Sequence, residues 1–271
     1  MKLKDKVVII TGASSGIGRA LAAAFAQRGA NLVLAARQYV TLCEIAQQIQ
    51  QQYNIKAIAV QCDVSVEADC AQLIKQTTLI FGKIDVLVNN AGISMRALFK
   101  DADLKVLKEL MDVNFWGTVY CTKYALPEIL KTKGSIVGVS SIAGYKGLPG
   151  RSGYSASKFA MNGFLDALRI ENLKTGVHVM VACPGFTATN IRNTALNSQG
   201  KPQGESTLEE DKMMTSEEVA NLIVNGAINR DRTLVMTGQG KLTVLLSKFL
   251  PAFLDKQIFN VFSKEKNALL K

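Results

Sequence analysis

Val7-Val8-Ile9-Ile10-Thr11-Gly12-Ala13-Ser14-Ser15-Gly16-Ile17-Gly18 begins with four β-branched residues in a row and then places glycines at 12, 16 and 18, directly ahead of the helical run Arg19–Arg28. The apolar run suits a strand buried on both faces, and the glycines let the chain turn tightly into the helix that follows. In such a strand–turn–helix arrangement backbone amides converge at a helix N-terminus, whose partial positive charge favours a diphosphate. Gly12, Ser14, Ser15, Gly16, Ile17 and Gly18 are therefore candidate diphosphate-binding positions. A turn that only needed small residues would carry similar glycines; the strand before it and the helix after it favour the binding reading.

The alternation continues outward from this stretch. Short apolar runs recur at Leu32–Ala35, Ala57–Cys62, Val86–Val88, Ile136–Val139, Val177–Ala182 and Thr233–Met236, separated by stretches of helical periodicity such as Ser216–Asn229. Strands apolar on both faces and spaced by helices predict an α/β fold, a single Rossmann-like, doubly wound parallel sheet with helices on both faces. One nucleotide-binding and catalytic domain is expected over residues 1–240, with 241–271 as its amphipathic C-terminal extension, broken near Pro251. Asn190–Met214, polar and carrying the acidic run Glu209-Glu210-Asp211, is too long for an ordinary connection and reads as a functional loop.

Of the 271 residues, 32 are Lys or Arg and 22 are Asp or Glu, a net charge of +10. That balance admits nucleic acid, an anionic membrane or an anionic cofactor as a partner. The extension holds six lysines against Asp255 and Glu265, which accounts for +4 of the charge. No basic stripe interleaved with aromatics is left for a nucleic-acid groove. Cys43, Cys62, Cys70, Cys121 and Cys183 form no CxxC pair and have no zinc-like spacing, so neither a disulfide framework nor a metal is expected, and a reducing compartment is. The start Met1–Ile10 is too short in apolar residues for a secretory signal, and no uncharged run approaches the roughly 18–20 residues of a membrane span, so a cytoplasmic location is expected.

The second strand ends at Ala35-Ala36-Arg37, where a site for a ribose 2′-hydroxyl would present an acid. Arg37 suits a 2′-phosphate instead, with Arg19 assisting through charge-assisted hydrogen bonds. NADP(H) is thus preferred over NAD(H) as the cofactor. Two solvated surface arginines would look the same in sequence.

Further along, Ser140-Ser141 closes the run Ile136–Val139, and Tyr154-Ser-Ala-Ser-Lys158 follows. In a helix over Tyr154–Leu173, Tyr154 and Lys158 project from one face. A tyrosine is too weak an acid to ionise at neutral pH, and a neighbouring ammonium lowers its pKa by favouring the phenolate. Ser141 can hydrogen-bond a substrate oxygen from the strand end. His178, the single histidine, lies inside a strand run and reads as structural, which leaves a Ser–His–Asp triad or a histidine metal site without support.

Thr11–Gly18, Asp63-Val64, Asn89-Asn90-Ala91-Gly92, Asn114, Ser141, Tyr154-x-x-x-Lys158 and Pro184-Gly185-x-x-x-Thr189 occur in that order between about residues 6 and 190, and in this set the sequence resembles the short-chain dehydrogenase/reductases. The resemblance implies that Tyr154 is the general acid in carbonyl reduction and the base in alcohol oxidation, and that Ser141 polarises the substrate oxygen. It implies that Lys158 holds the nicotinamide ribose and depresses the tyrosine pKa, and that Asn114 anchors a water linking Lys158 to solvent. Asn114 would otherwise be a satisfied core asparagine. The resemblance also places Asp63 and Val64 against adenine, Asn90, Ala91 and Gly92 on the adenosine side, and Pro184, Gly185, Thr187 and Thr189 near the nicotinamide carboxamide.

The family layout lines the substrate pocket with Ile93–Met95, Ile142–Tyr145, Leu148, Phe186 and the loop 190–214, with Met213 and Met214 packing over it. This apolar lining predicts a medium-sized hydrophobic ketone, aldehyde or alcohol. A 3-oxoacyl carrier-protein reductase is the enzymatic alternative, since Met236-Thr237-Gly238-Gln239 resembles the last strand of those proteins, which end soon afterward. A non-catalytic dinucleotide-binding redox sensor is the alternative of another class, and the intact Asn114, Ser141, Tyr154 and Lys158 argue against it. The extension resembles that of reductases related to hydroxysteroid dehydrogenases; packing on its own subunit is favoured over a dimer contact, and that over a membrane surface. A homodimer or homotetramer is expected.

Overall fold

The computed structural model describes residues 2–204, 213–264 and 267–270. Seven parallel strands, β1 (Val7–Thr11), β2 (Asn31–Ala36), β3 (Ala57–Gln61), β4 (Val86–Asn89), β5 (Ser135–Val139), β6 (His178–Cys183) and β7 (Thr233–Val235), lie in the order β3-β2-β1-β4-β5-β6-β7. Helices α1 (Gly16–Ala26), α2 (Tyr39–Tyr53) and α7 (Ser216–Asn229) pack on one face, and α3 (Glu67–Phe81), α5 (Gly117–Thr132) and α6 (Ser152–Glu171) on the other. The expected doubly wound α/β architecture is what the chain forms.

Alternation along β1 shows how both faces are served. Val8 and Ile10 join the core under α1, α2 and α7, whereas Val7 and Ile9 join the core under α3, α5 and α6. Each of these fully buried side chains stabilises the fold by about 1.5–3 kcal/mol. At the opposite end of the sheet from the strand C-termini, the buried Asp85 carboxylate accepts from Val7 N at 2.9 Å and pairs with Lys6 at 2.8 Å and Lys83 at 3.2 Å, pinning β1 to β4. His178 sits at that same end, between Ser135 Oγ and the Asp231 carbonyl.

Element boundaries differ from the sequence reading for local reasons. Helix α1 starts at Gly16 rather than Arg19, because the end of the glycine turn already winds into the first helical turn, and it stops at Ala26, where the Arg28 guanidinium donates to the Ala24 carbonyl. Helix α6 runs over Ser152–Glu171, its end capped by Asn172 Nδ2 donating to Leu168 O at 2.8 Å. Between α4 (Leu104–Met111) and α5 lies a π-helical turn, Asp112–Trp116, a feature that recurs at functional sites.

Within the long loop Leu196 bridges to Met95 and to Pro202. The acidic run 209–211 lies outside the described residues. The extension forms α8 (Gly238–Phe249) and α9 (Pro251–Phe262), with Pro251 at the first turn of the second helix, where its missing N–H costs nothing. Among the described residues no helix is long and apolar enough to cross a membrane.

Candidate active site

Strand order reverses at β1 and β4. The chain leaves β1 through α1 toward one face and continues outward on the other side of β4 through α5 toward the opposite face, which opens a crevice at the strand C-termini. The glycine turn lies in that crevice. Gly12 has φ +66°, and a Cβ there would stand 2.8 Å from Ala91 Cα; a Cβ on Gly18 would stand 2.1 Å from the Gly12 carbonyl oxygen. Thr11 Oγ1 accepts from the amides of Asn90 and Ala91, both at 3.0 Å, while Asn90 Nδ2 donates to the Thr11 and Gly12 carbonyls. Thr11 was not singled out as a site residue by sequence reasoning; its place between strand and first glycine is the signal that marks it as the brace of the turn.

Helix α1 begins with no side-chain cap from Ser15 and no acid in its first turn, so its first N–H groups are left for another acceptor. This cradle, whose tight turn a Cβ at position 12 or 18 would force open, fits a diphosphate. The turn after β6 lies over it, with the Thr189 methyl against Gly16. Thr187 is buried, its hydroxyl donating to the Gly185 carbonyl, and Gly185 packs on Thr237. Asp63 Oδ1 accepts from the Ser65 amide and hydroxyl, and Val64 packs beneath Gly117 at the start of α5. Arg37 is exposed just beyond β2, and Arg19 reaches Gln48 on α2 at 3.5 Å.

On the other side of the crevice β5 delivers Ser141, whose Oγ accepts from Ala143 N at 3.1 Å in a short 3₁₀ turn, Ile142–Gly144. Tyr154, in the first turn of α6, is 9% exposed, and burial raises the phenol pKa above its ordinary value while the Ser141 hydroxyl and the Arg151 charge pull it back. Lys158 is 4% exposed; Nζ stands 5.9 Å from the Tyr154 ring centre and donates to the Val139 carbonyl at 2.9 Å. Burial pulls the Lys158 pKa down to about 8. Desolvation outweighs the Ser141 hydroxyl and the Arg151 charge, so the net direction for Tyr154 is upward. Cys183, beside them at the end of β6, is pushed up to about 12 by burial and is an inert thiol.

Asn114 lies in the π-helical turn, fully buried. Its Oδ1 accepts from Ile93 N at 2.8 Å, and Nδ2 donates to Ile93 O at 3.0 Å and to Ser157 Oγ at 2.9 Å; Ser157 Oγ donates in turn to the Tyr154 carbonyl. The side chain thus ties the segment after β4 to α6. Gly92 lets the groups converge, since a Cβ there would meet Asn114 Oδ1 at 3.1 Å and Lys158 Nζ at 3.5 Å. Ser157 was missed by sequence reasoning, although its i+3 spacing from Tyr154 puts it on the same helix face.

Beside Tyr154, Met95, Ala97, Val106, Leu110, Ala143 and Leu196 form an apolar cluster with Ile93 and Leu148 at its edge. Phe186 is exposed. Met214 packs on the core shared by α1 and α7, and Met213 contacts Arg192, so Met214 is a core side chain rather than a cover over this cluster.

A switch point over a glycine turn defines the class, a nucleotide-binding α/β protein. The chain belongs to the short chain dehydrogenase family, whose model matches residues 6–200, and is on that ground an oxidoreductase acting on CH–OH groups. It is 40% identical over 235 residues to 11-beta-hydroxysteroid dehydrogenase-like 4A of Arabidopsis thaliana, covering 86% of this chain and 77% of that one. It is 36% identical over 257 residues to 11-beta-hydroxysteroid dehydrogenase A of Arachis hypogaea, covering 92% and 73%. Among solved structures it is similar to an alcohol dehydrogenase from the archaeon Thermococcus sibiricus complexed with 5-hydroxy-NADP, at a TM-score of 0.74 and 27% identity over 85% of this chain and 94% of that one. It is also similar to a short chain dehydrogenase/reductase from Burkholderia phymatum in complex with NAD, at a TM-score of 0.81 and 25% identity over 95% and 96%. One holds 5-hydroxy-NADP and the other NAD, so these two do not distinguish the cofactors.

Proposed function

We propose that the protein interconverts a carbonyl and an alcohol on a medium-sized hydrophobic substrate with NADP(H), Tyr154 serving as general acid in reduction and general base in oxidation. The observation that carries this reading is Tyr154 buried beside Ser141 at the end of β5, with Lys158 one helical turn further on and the glycine-turn crevice next to them. When bound, the dinucleotide supplies or accepts the hydride. Amides of the 12–18 turn hold its diphosphate. The 63–64 and 90–92 segments take the adenosine side, Pro184, Gly185, Thr187 and Thr189 the nicotinamide side, and Lys158 the ribose. Tyr154 donates its proton to the substrate oxygen while Ser141 hydrogen-bonds the same oxygen. Burial holds the Tyr154 phenol protonated at neutral pH, the form that a general acid in reduction needs. Asn114, fixed by Ile93 and Ser157, would anchor a water that links Lys158 to solvent. The apolar cluster beside Tyr154 supports a hydrophobic substrate, as do the hydroxysteroid dehydrogenase names of the plant relatives.

NADPH consumption across a panel of ketones, from cyclohexanone to α-tetralone, tests the reading. Persistent inactivity with tight dinucleotide binding would replace it with the sensor. Cofactor choice has its own test. Wild-type protein is expected to bind NADPH more tightly than NADH, and Arg37→Asp to weaken NADPH binding by about ten- to a hundredfold, as loss of charge-assisted hydrogen bonds worth about 1.5–3 kcal/mol implies. Equal affinities of the wild type in a fluorescence titration would remove the preference.

Lys158 also predicts a pH dependence of stability. Its pKa is about 8 in the fold against the ordinary 10.5, so between those values the unfolded chain holds a proton that the native chain has lost, and stability rises with pH across the window. Lys158→Met should therefore gain melting temperature relative to wild type below pH 8, with the gap narrowing toward pH 10.5. The unmet Val139 carbonyl adds an offset that does not change with pH. A gap constant with pH in calorimetry contradicts the prediction.

A further inference from the structure

The connection from Ser141 to Tyr154 is touched by the C-terminal extension at its beginning, middle and end. Near the beginning, Gly240 in α8 packs so closely on Ile142 that a Cβ there would stand 2.7 Å from Ile142 Cδ1. In the middle, Asp255 of α9 pairs with Lys146 at 2.5 Å. At the end, Leu269 fills the space over Gly150: a Cβ on Gly150, whose φ is +69°, would stand 2.6 Å from Leu269 Cδ1. Leu269 and Leu270 sit with Phe262 against Arg96, Pro149 and Arg151, and Arg96 Nη2 donates to the Asn267 carbonyl at 2.6 Å. Arg96 is itself tied to the substrate side, its amide donating to Leu196 O at 2.8 Å, while the neighbouring Ala97 amide donates to Gly150 O at 2.9 Å.

We propose that the extension is a positioning clamp on the Ser141–Tyr154 connection, with Leu269 as its latch, and that it sets how the two hydroxyls meet the substrate. The proposal rests on the reading that Ser141 and Tyr154 act on the substrate oxygen. Leu269 carries more of the clamp than the ion pair, because the Asp255 carboxylate is mostly exposed and such pairs contribute little. Leu269 meets the connection at Pro149, Gly150 and Arg151 and is not among the described residues packed on the Tyr154 cluster, so its loss acts through the connection. A small displacement of groups that must meet the reacting oxygen slows the chemical step well before it unfolds the protein.

Leu269→Ala combined with Asp255→Asn tests this in the full-length chain. Hydrogen–deuterium exchange in peptides covering 142–151 should speed up about tenfold, with the glycine turn at 11–19 unchanged. The kcat for α-tetralone should fall about tenfold, with KM and the Kd for NADPH within about threefold. Leu269→Met, which refills the space over Gly150, should restore wild-type values. Unchanged exchange over 142–151 overturns the clamp. So does faster exchange with unchanged KM and kcat, or a loss of NADPH affinity as large as the fall in kcat, which would mark a general structural role. Failure of the wild type to reduce α-tetralone would count against that substrate class for the proposed function, and the exchange measurement, which needs no substrate, would still decide whether the extension holds the loop.

Discussion

Tyr154→Phe stops turnover while leaving the dinucleotide bound: kcat is expected to fall by about 10²–10⁴-fold, the range a positioned general acid contributes. The change removes one oxygen. The ring keeps its place against Met95, Leu110 and Ala143, so packing is retained, and the hydroxyl is the group next to Ser141. Loss of that neighbour costs at most the net worth of one hydrogen bond, about 0.5–1.5 kcal/mol, and a buried polar group goes with it. The melting temperature should therefore stay close to wild type, as should the Kd for NADPH, because Lys158 keeps its bond to the Val139 carbonyl. Loss of NADPH absorbance under saturating ketone measures kcat, and a fluorescence titration measures Kd. A variant within tenfold of wild-type kcat would show that Tyr154 is not the acid, and Ser141 would be the next hydroxyl to remove.

Gly18→Ala is expected to cost at least about a hundredfold in dinucleotide affinity, or some 2.7 kcal/mol. Ordinary carbon contacts lie at about 3.5–4.0 Å. An alanine Cβ at 18 would stand 2.1 Å from the Gly12 carbonyl oxygen and 2.6 Å from Asn90 Nδ2, and neither is a flexible side-chain end that can swing away, since Asn90 is held by the Thr11 and Gly12 carbonyls. The turn must open, and its amides lose their common aim. Gly16→Ala is the matched control. Its Cβ meets only the Thr189 side chain, at 3.4 Å, so the burden is the left-handed backbone at φ +51°, about 1–2 kcal/mol. Calorimetric titration with NADPH should rank wild type above Gly16→Ala and Gly16→Ala well above Gly18→Ala, with circular dichroism confirming the fold of each. Equal affinities for the two variants would contradict the cradle.

The strands were legible because a sheet covered on both faces needs unbroken β-branched runs, and Val7–Ile10 or Ile136–Val139 have few other uses. The glycine turn and the Tyr154–Lys158 spacing were legible because each is short and local. What stayed hidden depends on partners distant in sequence. Nothing in Asp112–Trp116 announces a π-helical turn, and the role of Ser157 appears only once Asn114 arrives from another helix. Met214 shares its type with a pocket-covering residue, and its packing on α1 and α7 decides otherwise. The grip of Leu269 on Gly150 joins residues far apart in sequence, and a glycine with positive φ was its single local trace.

The bracing of the glycine turn by Asn90 also bears on the order of folding. Thr11 Oγ1 and the Asn90 amide are 79 residues apart in sequence, so the glycine turn is braced only when β1 and β4 have met. Such non-local pairings form slowly and late. A dinucleotide that needs the braced turn binds the folded chain in preference to the unfolded one, and at a hundred times its Kd it would stabilise the native state by about 2.7 kcal/mol. Cofactor supply would then help set how long each newly made chain survives in the cell.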